Sequence, residues 1–155
     1  TGDTGDTGDT GDTGDTGDCS GNFPHHHKGL CWSDRSPNTM NWNAAISYCT
    51  GLGGRLPNIQ ELRMLIKECP KTEYPKPEGQ DPWCTIEDPG NLGGSDCSGC
   101  TSDSSGKYSV FGDTVGLWSS SSYVYYTDNA WSVYFYDGYV LYSNKAGDTY
   151  ARCVR

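Results

Sequence analysis

The sequence predicts an α+β domain, rich in disulfides, behind a collagen-like triple-helical stalk. Three observations carry that reading. Residues 1–18 read TGDTGDTGDTGDTGDTGD, with glycine at every third position. Before residue 70, two segments repeat apolar residues at spacings of three and four, and each opens on an asparagine. From Lys107 onward, apolar and polar residues alternate in short runs broken by turn residues. The chain therefore divides into a repeat, 1–18, and a head, 19–155, which is long enough for one core.

The repeat has a steric explanation. Where three extended chains share an axis, only glycine fits there. Gly2, Gly5, Gly8, Gly11, Gly14 and Gly17 hold that register without a fault. At ~3.1 Å per residue the segment would span roughly 55 Å. The Gly-Asp-Thr triplet lacks proline, and aligned chains would line one thin rod with carboxylates that repel over ~8 Å. Compensation is expected from O-linked sugars on Thr4, Thr7, Thr10, Thr13 and Thr16, from calcium or another cation, from a long upstream continuation, or from a strong trimer at the C-terminal end. The other reading of the same residues is a flexible acidic linker, which needs composition but no strict period.

Charge and cysteine content bound the function classes. The formal charge is −9, but six of the 20 acids belong to the repeat, and the head carries 14 acids against 11 bases. No clustered Lys and Arg mark a nucleic-acid footprint. Eight cysteines in 155 residues point to an oxidising compartment. No apolar stretch approaches the ~20 residues of a membrane span, and no Asn-x-Ser/Thr sequon occurs. The expected address is extracellular. The chain begins inside a repeat without an initiator Met, so processing is expected to set its first residue.

Within the head, residues 19–40 read as loop and short strand, with Pro24 and Pro37 as breakers. Asn41 caps a helix over Trp42–Thr50, whose face carries Trp42, Ala45, Ile46 and Cys49. Gly51, Gly53 and Gly54 end it. A second helix follows in RLPNIQELRMLIKEC, with Asn58 as cap, Glu61 completing a capping box, and Ile59, Leu62, Leu65 and Ile66 as the apolar stripe. Residues 69–106 are rich in Pro, Gly and Ser and hold four cysteines. A loop of that length is expected to depend on disulfide staples in place of a core.

KYSVF, VGLWSSS and TYARCVR read as short strands, and NAWSVYFYDGYVLYS as a hairpin. Asp137-Gly138 is expected as a two-residue turn, which sets Tyr136 opposite Tyr139, Phe135 opposite Val140 and Tyr134 opposite Leu141. One face then carries Trp131, Val133, Phe135, Val140 and Tyr142 as core. The other carries Ser132, Tyr134, Tyr136, Tyr139 and Leu141, too aromatic a set for idle exposure. With Tyr123, Tyr125 and Tyr126 these form the expected ligand-binding set. Tyrosine offers large, rigid contact area and a hydroxyl at low entropic cost.

The runs GLCWSD, MNWNAAISYC, LGGRLPNIQELRMLI, LWSSS, NAWSVYF and a terminal ARCVR resemble the Legionella collagen-like protein C-terminal domain family over about residues 28–155. That resemblance implies a C-type-lectin-like fold: two helices on a twisted antiparallel sheet, with the N- and C-terminal parts together. It implies a bacterial surface protein, since the family's namesake is a stalked adhesin with a trimeric, glycosaminoglycan-binding head. It implies a disulfide from Cys49 to Cys153, with Cys19 to Cys31 closing the entry loop. Cys69, Cys84, Cys97 and Cys100 are left with three pairings open. SSYVYYTDNAWSVYFYDGYVLYSN also resembles the variable segment of diversity-generating retroelement proteins of related fold.

Other chemistry finds little support. His25, His26 and His27 are adjacent, whereas metal ligands converge from separated positions, so a solvated loop is expected and no metal. Cys97-x-x-Cys100 lacks the second pair of a zinc ribbon, and a disulfide is expected. The three histidines share one loop, which leaves no Ser-His-Asp arrangement and no expectation of an enzyme. The Glu-Pro-Asn and Gln-Pro-Asp tripeptides of calcium-dependent lectins are absent. Asp113 and Asp128 are expected as solvated loop acids rather than cation ligands, and no cofactor is expected beyond a cation on the repeat. Two functions are expected: a stalked adhesin, trimeric or filamentous, with a glycan or protein ligand, or a filament subunit whose Tyr-rich face is buried in assembly.

Overall fold

The computed structural model describes residues 19–75 and 97–155. The expected stalk, its threonines and any cation there lie outside them, as does Cys84. The described chain is a small α+β fold with two antiparallel sheets. Strands β1 (His25–His27) and β2 (Leu30–Trp32) form a hairpin in which His27 pairs with Leu30. The turn residues Lys28 and Gly29 both have positive φ, 53° and 80°, as a type I′ turn demands.

Helix α1 spans Trp42–Gly51, and the Asn41 side chain accepts from Ala44 N at 2.9 Å. Helix α2 is shorter than its apolar stripe suggests, Ile59–Arg63. The capping box is present: Asn58 Oδ1 accepts from Glu61 N and Glu61 Oε2 from Asn58 N, both at 2.8 Å. Beyond Arg63 the chain tightens into turns in which Leu65 N donates to Leu62 O and Ile66 N to Arg63 O. The backbone there is claimed by a neighbour, since Val110 N donates to Leu65 O and Lys67 N to Tyr108 O. Leu65 and Ile66 are nonetheless buried as the periodicity requires.

Strands β3 (Gly116–Ser122), β4 (Asn129–Tyr134) and β5 (Tyr139–Asn144) make an antiparallel sheet in that order. Between Trp118 and Ser122 the β3 register shifts. Serine hydroxyls bind in the irregular stretch: Ser119 Oγ donates to Trp131 O, and Ser121 Oγ accepts from Ile59 N at the start of α2. Both faces of the sheet are covered. Leu117, Trp131, Val133, Phe135 and Val140 pack with Ile59, Leu62, Leu65, Ile66 and Trp32. Trp118 and Ala130 pack with Ala45, Cys49, Phe23, Leu56 and Ala151. The two helices thus contribute to separate apolar clusters.

The β4–β5 register differs from the expected one by two residues: Tyr134 pairs with Tyr139 and Val133 with Val140, so the loop has four residues, 135–138. Residues 99–103 hold it. Cys100 N donates to Asp137 O, Asp103 N donates to Tyr136 O, and a side chain on Gly138 would come within 3.0 Å of Cys69 Sγ. An even shift leaves every side chain on its expected face. KYSVF is not a strand. Ser109 N donates to Gly106 O and Gly112 N to Ser109 O, and both glycines have positive φ, so the segment turns twice.

TYARCVR pairs through isolated bridges rather than a continuous strand. Thr149 exchanges two backbone hydrogen bonds with Met40, Val154 two with Arg55, and Arg155 two with Cys31. The entry and exit segments are therefore joined, and disulfides Cys19–Cys31 and Cys49–Cys153 lock them. Cys69 pairs with Cys100, which selects among the pairings left open, and Cys97 is disulfide-bonded as well.

Candidate functional site

The loop from Tyr123 to Asp128, between β3 and β4, carries the largest exposed aromatic surface among the described residues. It is closed by Tyr123 N donating to Asn129 O and Asn129 N to Tyr126 O, both at 2.8 Å. Tyr123 is its buried anchor. Its ring stacks on Tyr142 with centroids 4.1 Å apart and planes at 4°, and it meets Trp131 edge-on at 5.2 Å. Tyr125 and Tyr126 lie 5.8 and 5.9 Å from the same ring. Desolvation first, then the neighbouring tyrosines, raise the Tyr123 pKa, so the phenol stays neutral. Outside this anchor, Val124, Tyr125 and Tyr126 are 60%, 59% and 64% exposed.

The eight residues expected to bind ligand are therefore divided. Tyr125 and Tyr126 face solvent, and Tyr123 supports them. Ser132 is fully buried and its hydroxyl donates to Leu141 O. Tyr134, Tyr139 and Leu141 are half-buried. Tyr134 lies against Gly116, where a side chain would come within 3.0 Å of its ring, and meets Tyr136 edge-on at 5.9 Å. Tyr136 is 37% exposed. Alternation assigns Tyr142 to the core, yet it is 37% exposed. Parity reports the face of a strand and not the depth along it, so no sequence signal distinguishes Tyr142 from Val140.

Beside this loop lies a polar pocket of about 460 Å³, lined by Asn41, Asn43, Asp128, Asn144, Lys145 and Ala146. Lys145 N donates to Asp128 O at 2.8 Å and Trp42 N to Lys145 O at 3.1 Å, which ties the loop and the β5 exit to the start of α1. Lys145 Nζ donates to Ser122 Oγ at 2.7 Å and sits 4.0 Å from the Trp42 ring centre. Sequence reading places Asp128 on a loop, and it gives no hint that residues 41, 43, 128 and 144 meet.

Two expectations need correction. The histidines are not a solvated loop but strand β1, with His25 and His27 packed on Phe111 at 5.2 and 6.1 Å. His25 Nε2 lies 2.7 Å from Asp34 Oδ1, and His27 Nε2 donates to Met64 O at 3.0 Å. Burial lowers the His27 pKa, which favours the neutral ring. Asp113 is not a solvated acid either. It is buried in a bidentate pair with Arg152. Among the described residues, no three His, Cys, Asp or Glu converge as metal ligands, and no helix is long and apolar enough to cross a membrane.

Compared with protein-family models, residues 22–155 match the Lcl C-terminal domain. No curated protein matches the chain. No solved structure matches it.

Proposed function

From the premise that the chain belongs to the Lcl C-terminal domain family, we propose that it is the binding head of an extracellular, collagen-stalked bacterial surface adhesin. The head is of C-type-lectin-like type. Supporting this, a disulfide joins α1 to the last segment, and the entry and exit of the domain are bonded together. It works by binding and not by catalysis, with no cofactor in the head. The Gly-Asp-Thr repeat winds three copies into a glycosylated stalk, which multiplies a weak site through avidity.

One observation carries the reading. Val124, Tyr125 and Tyr126 are held out to solvent on a loop whose own anchor, Tyr123, is buried in a stack with Tyr142. Large aromatic side chains that are exposed but already ordered lose little entropy on contact and are favoured at recognition surfaces. Retention of the whole protein on an array of extracellular proteins and glycans tests this. Tyr125→Ser with Tyr126→Ser should reduce retention at least tenfold at unchanged Tm, and unchanged retention would sink the idea.

The second reading, a filament subunit, uses the same exposed rings as an assembly contact. It predicts that the double variant shifts sedimentation from assembled to smaller species, whereas the adhesin keeps its oligomeric state.

A further inference from the structure

We propose that the pocket between the first turn of α1 and the Asn144–Ala146 turn binds a neutral polyhydroxylated ligand, one sugar ring of an uncharged glycan. This rests on the reading of the adjoining loop as a binding surface and names what the polar half of that surface would take.

Size and chemistry point the same way. The volume, about 460 Å³, lies within the ~300–1,000 Å³ of small-molecule sites. Ala146 is the one apolar residue in the wall, so a hydrophobic ligand would bury little against it. The polar groups are mixed donors and acceptors. Asn41 Oδ1 is taken by Ala44 N and Asn144 Oδ1 by Ala146 N, which leaves two amide NH2 groups as donors. The Asn43 amide and the Asp128 carboxylate have no side-chain partner among the described residues, so both donor and acceptor capacity remains. Each sugar hydroxyl both donates and accepts, and such a mixed wall satisfies it.

Charge excludes the obvious competitors. One carboxylate and one ammonium leave the wall without net charge. A polyanion meets a single Lys145, already held by Ser122 Oγ, in a wall that also carries the Asp128 carboxylate. A metal ion meets one carboxylate and an ammonium. The wall is also ordered beforehand: Asn41 caps α1, Asn144 caps its own turn, and the Asp128 backbone is bonded to Lys145. The exposed Tyr125 and Tyr126 rings stand on the same loop as Asp128 and offer apolar faces to the next part of a glycan.

Saturation-transfer NMR on the whole protein tests the pocket, with the methyl glycosides of glucose, galactose, mannose and N-acetylglucosamine as neutral probes and a heparin oligosaccharide as the charged one. The expected result is transfer to at least one neutral glycoside, retained in 0.5 M salt, with affinity at least tenfold weaker in Asp128→Ala and in Asn43→Ala. Both positions are exposed, and circular dichroism checks that the variants stay folded. Silence from all four glycosides, binding confined to heparin, or affinity unmoved by both variants overturns the proposal. Loss of array retention in the Tyr125 and Tyr126 variant with no glycoside binding would reject the pocket alone. Glycoside binding with unmoved array retention would reject the aromatic loop alone.

Discussion

Arg152 places Nε and Nη2 on the two carboxylate oxygens of Asp113, each at 3.0 Å, with both side chains buried. The guanidinium also donates to Ser33 O and lies 4.9 Å from the Phe111 ring centre. The pair thus ties the C-terminal segment to the loop before β3 and to the end of β2. Removing one partner leaves the other charge buried and alone. Asp113→Asn is expected to cost about 3–5 kcal/mol in urea unfolding, and Asp113→Leu combined with Arg152→Met much less. A loss under about 1 kcal/mol for the single variant would mean that the pair is not buried in solution.

Arg63 is the opposite case. It is 1% exposed, its Nε has no hydrogen-bond acceptor, and the Tyr74 ring 4.9 Å away is its recorded cation–π contact among the described residues. Desolvation pulls its pKa down to about 10. Among the described residues no carboxylate pairs with it, and a buried cation left so is costly to retain. Arg63→Met is expected to leave Tm unchanged or raise it by a few degrees. A clear fall would show that the charge has a partner.

His27 makes stability depend on pH. Its folded pKa lies below the unfolded value near 6.5, because burial disfavours the charged ring. The unfolded chain therefore binds the proton more readily. The contribution is complete above about pH 6.5 and is lost as pH falls through the folded value. Tm should drop between pH 7 and pH 5, and His27→Gln, which can keep a donor for Met64 O, should flatten that slope. An equal slope in both proteins would remove His27 as its source.

The two terminal disulfides should differ in worth. Cys49–Cys153 closes a separation of 104 residues and Cys19–Cys31 one of 12. Loop-closure entropy gives about 4.7 kcal/mol for a 100-residue loop and about 3 kcal/mol for a 15-residue one. Chemical denaturation of the two double-alanine variants should show the longer loop costing more. The reverse order would mean that the Cys19–Cys31 hairpin carries the domain's entry contacts by itself.

What could be read locally was read well. The caps at Asn41 and Asn58 act over three residues, so their sequence signature and their geometry coincide. Alternation along β4 and β5 assigned side chains to the right faces even though the register was two residues out. Turn preference favours Asp137-Gly138 as a tight hairpin, but Asp103 N takes the Tyr136 carbonyl and Asp137 Oδ1 the Tyr139 N–H that such a turn would pair. The capping box was legible, whereas the early end of α2 was not, because distant residues 108–110 take the Leu65 carbonyl and the Lys67 N–H that a longer helix would use.

By itself the sequence determined the α+β class, both helix starts, the two faces of the hairpin and the oxidised character of the cysteines. Each depends on neighbours within a few residues, or on composition alone. Only the tertiary structure decided that Ser132 is buried, that Tyr142 covers Tyr123 in a stack while staying partly exposed itself, and that Asn41, Asn43, Asp128 and Asn144 share one pocket. Burial depth and convergence are set by which distant segments cover a strand and where they stop, and no local pattern of residues records that.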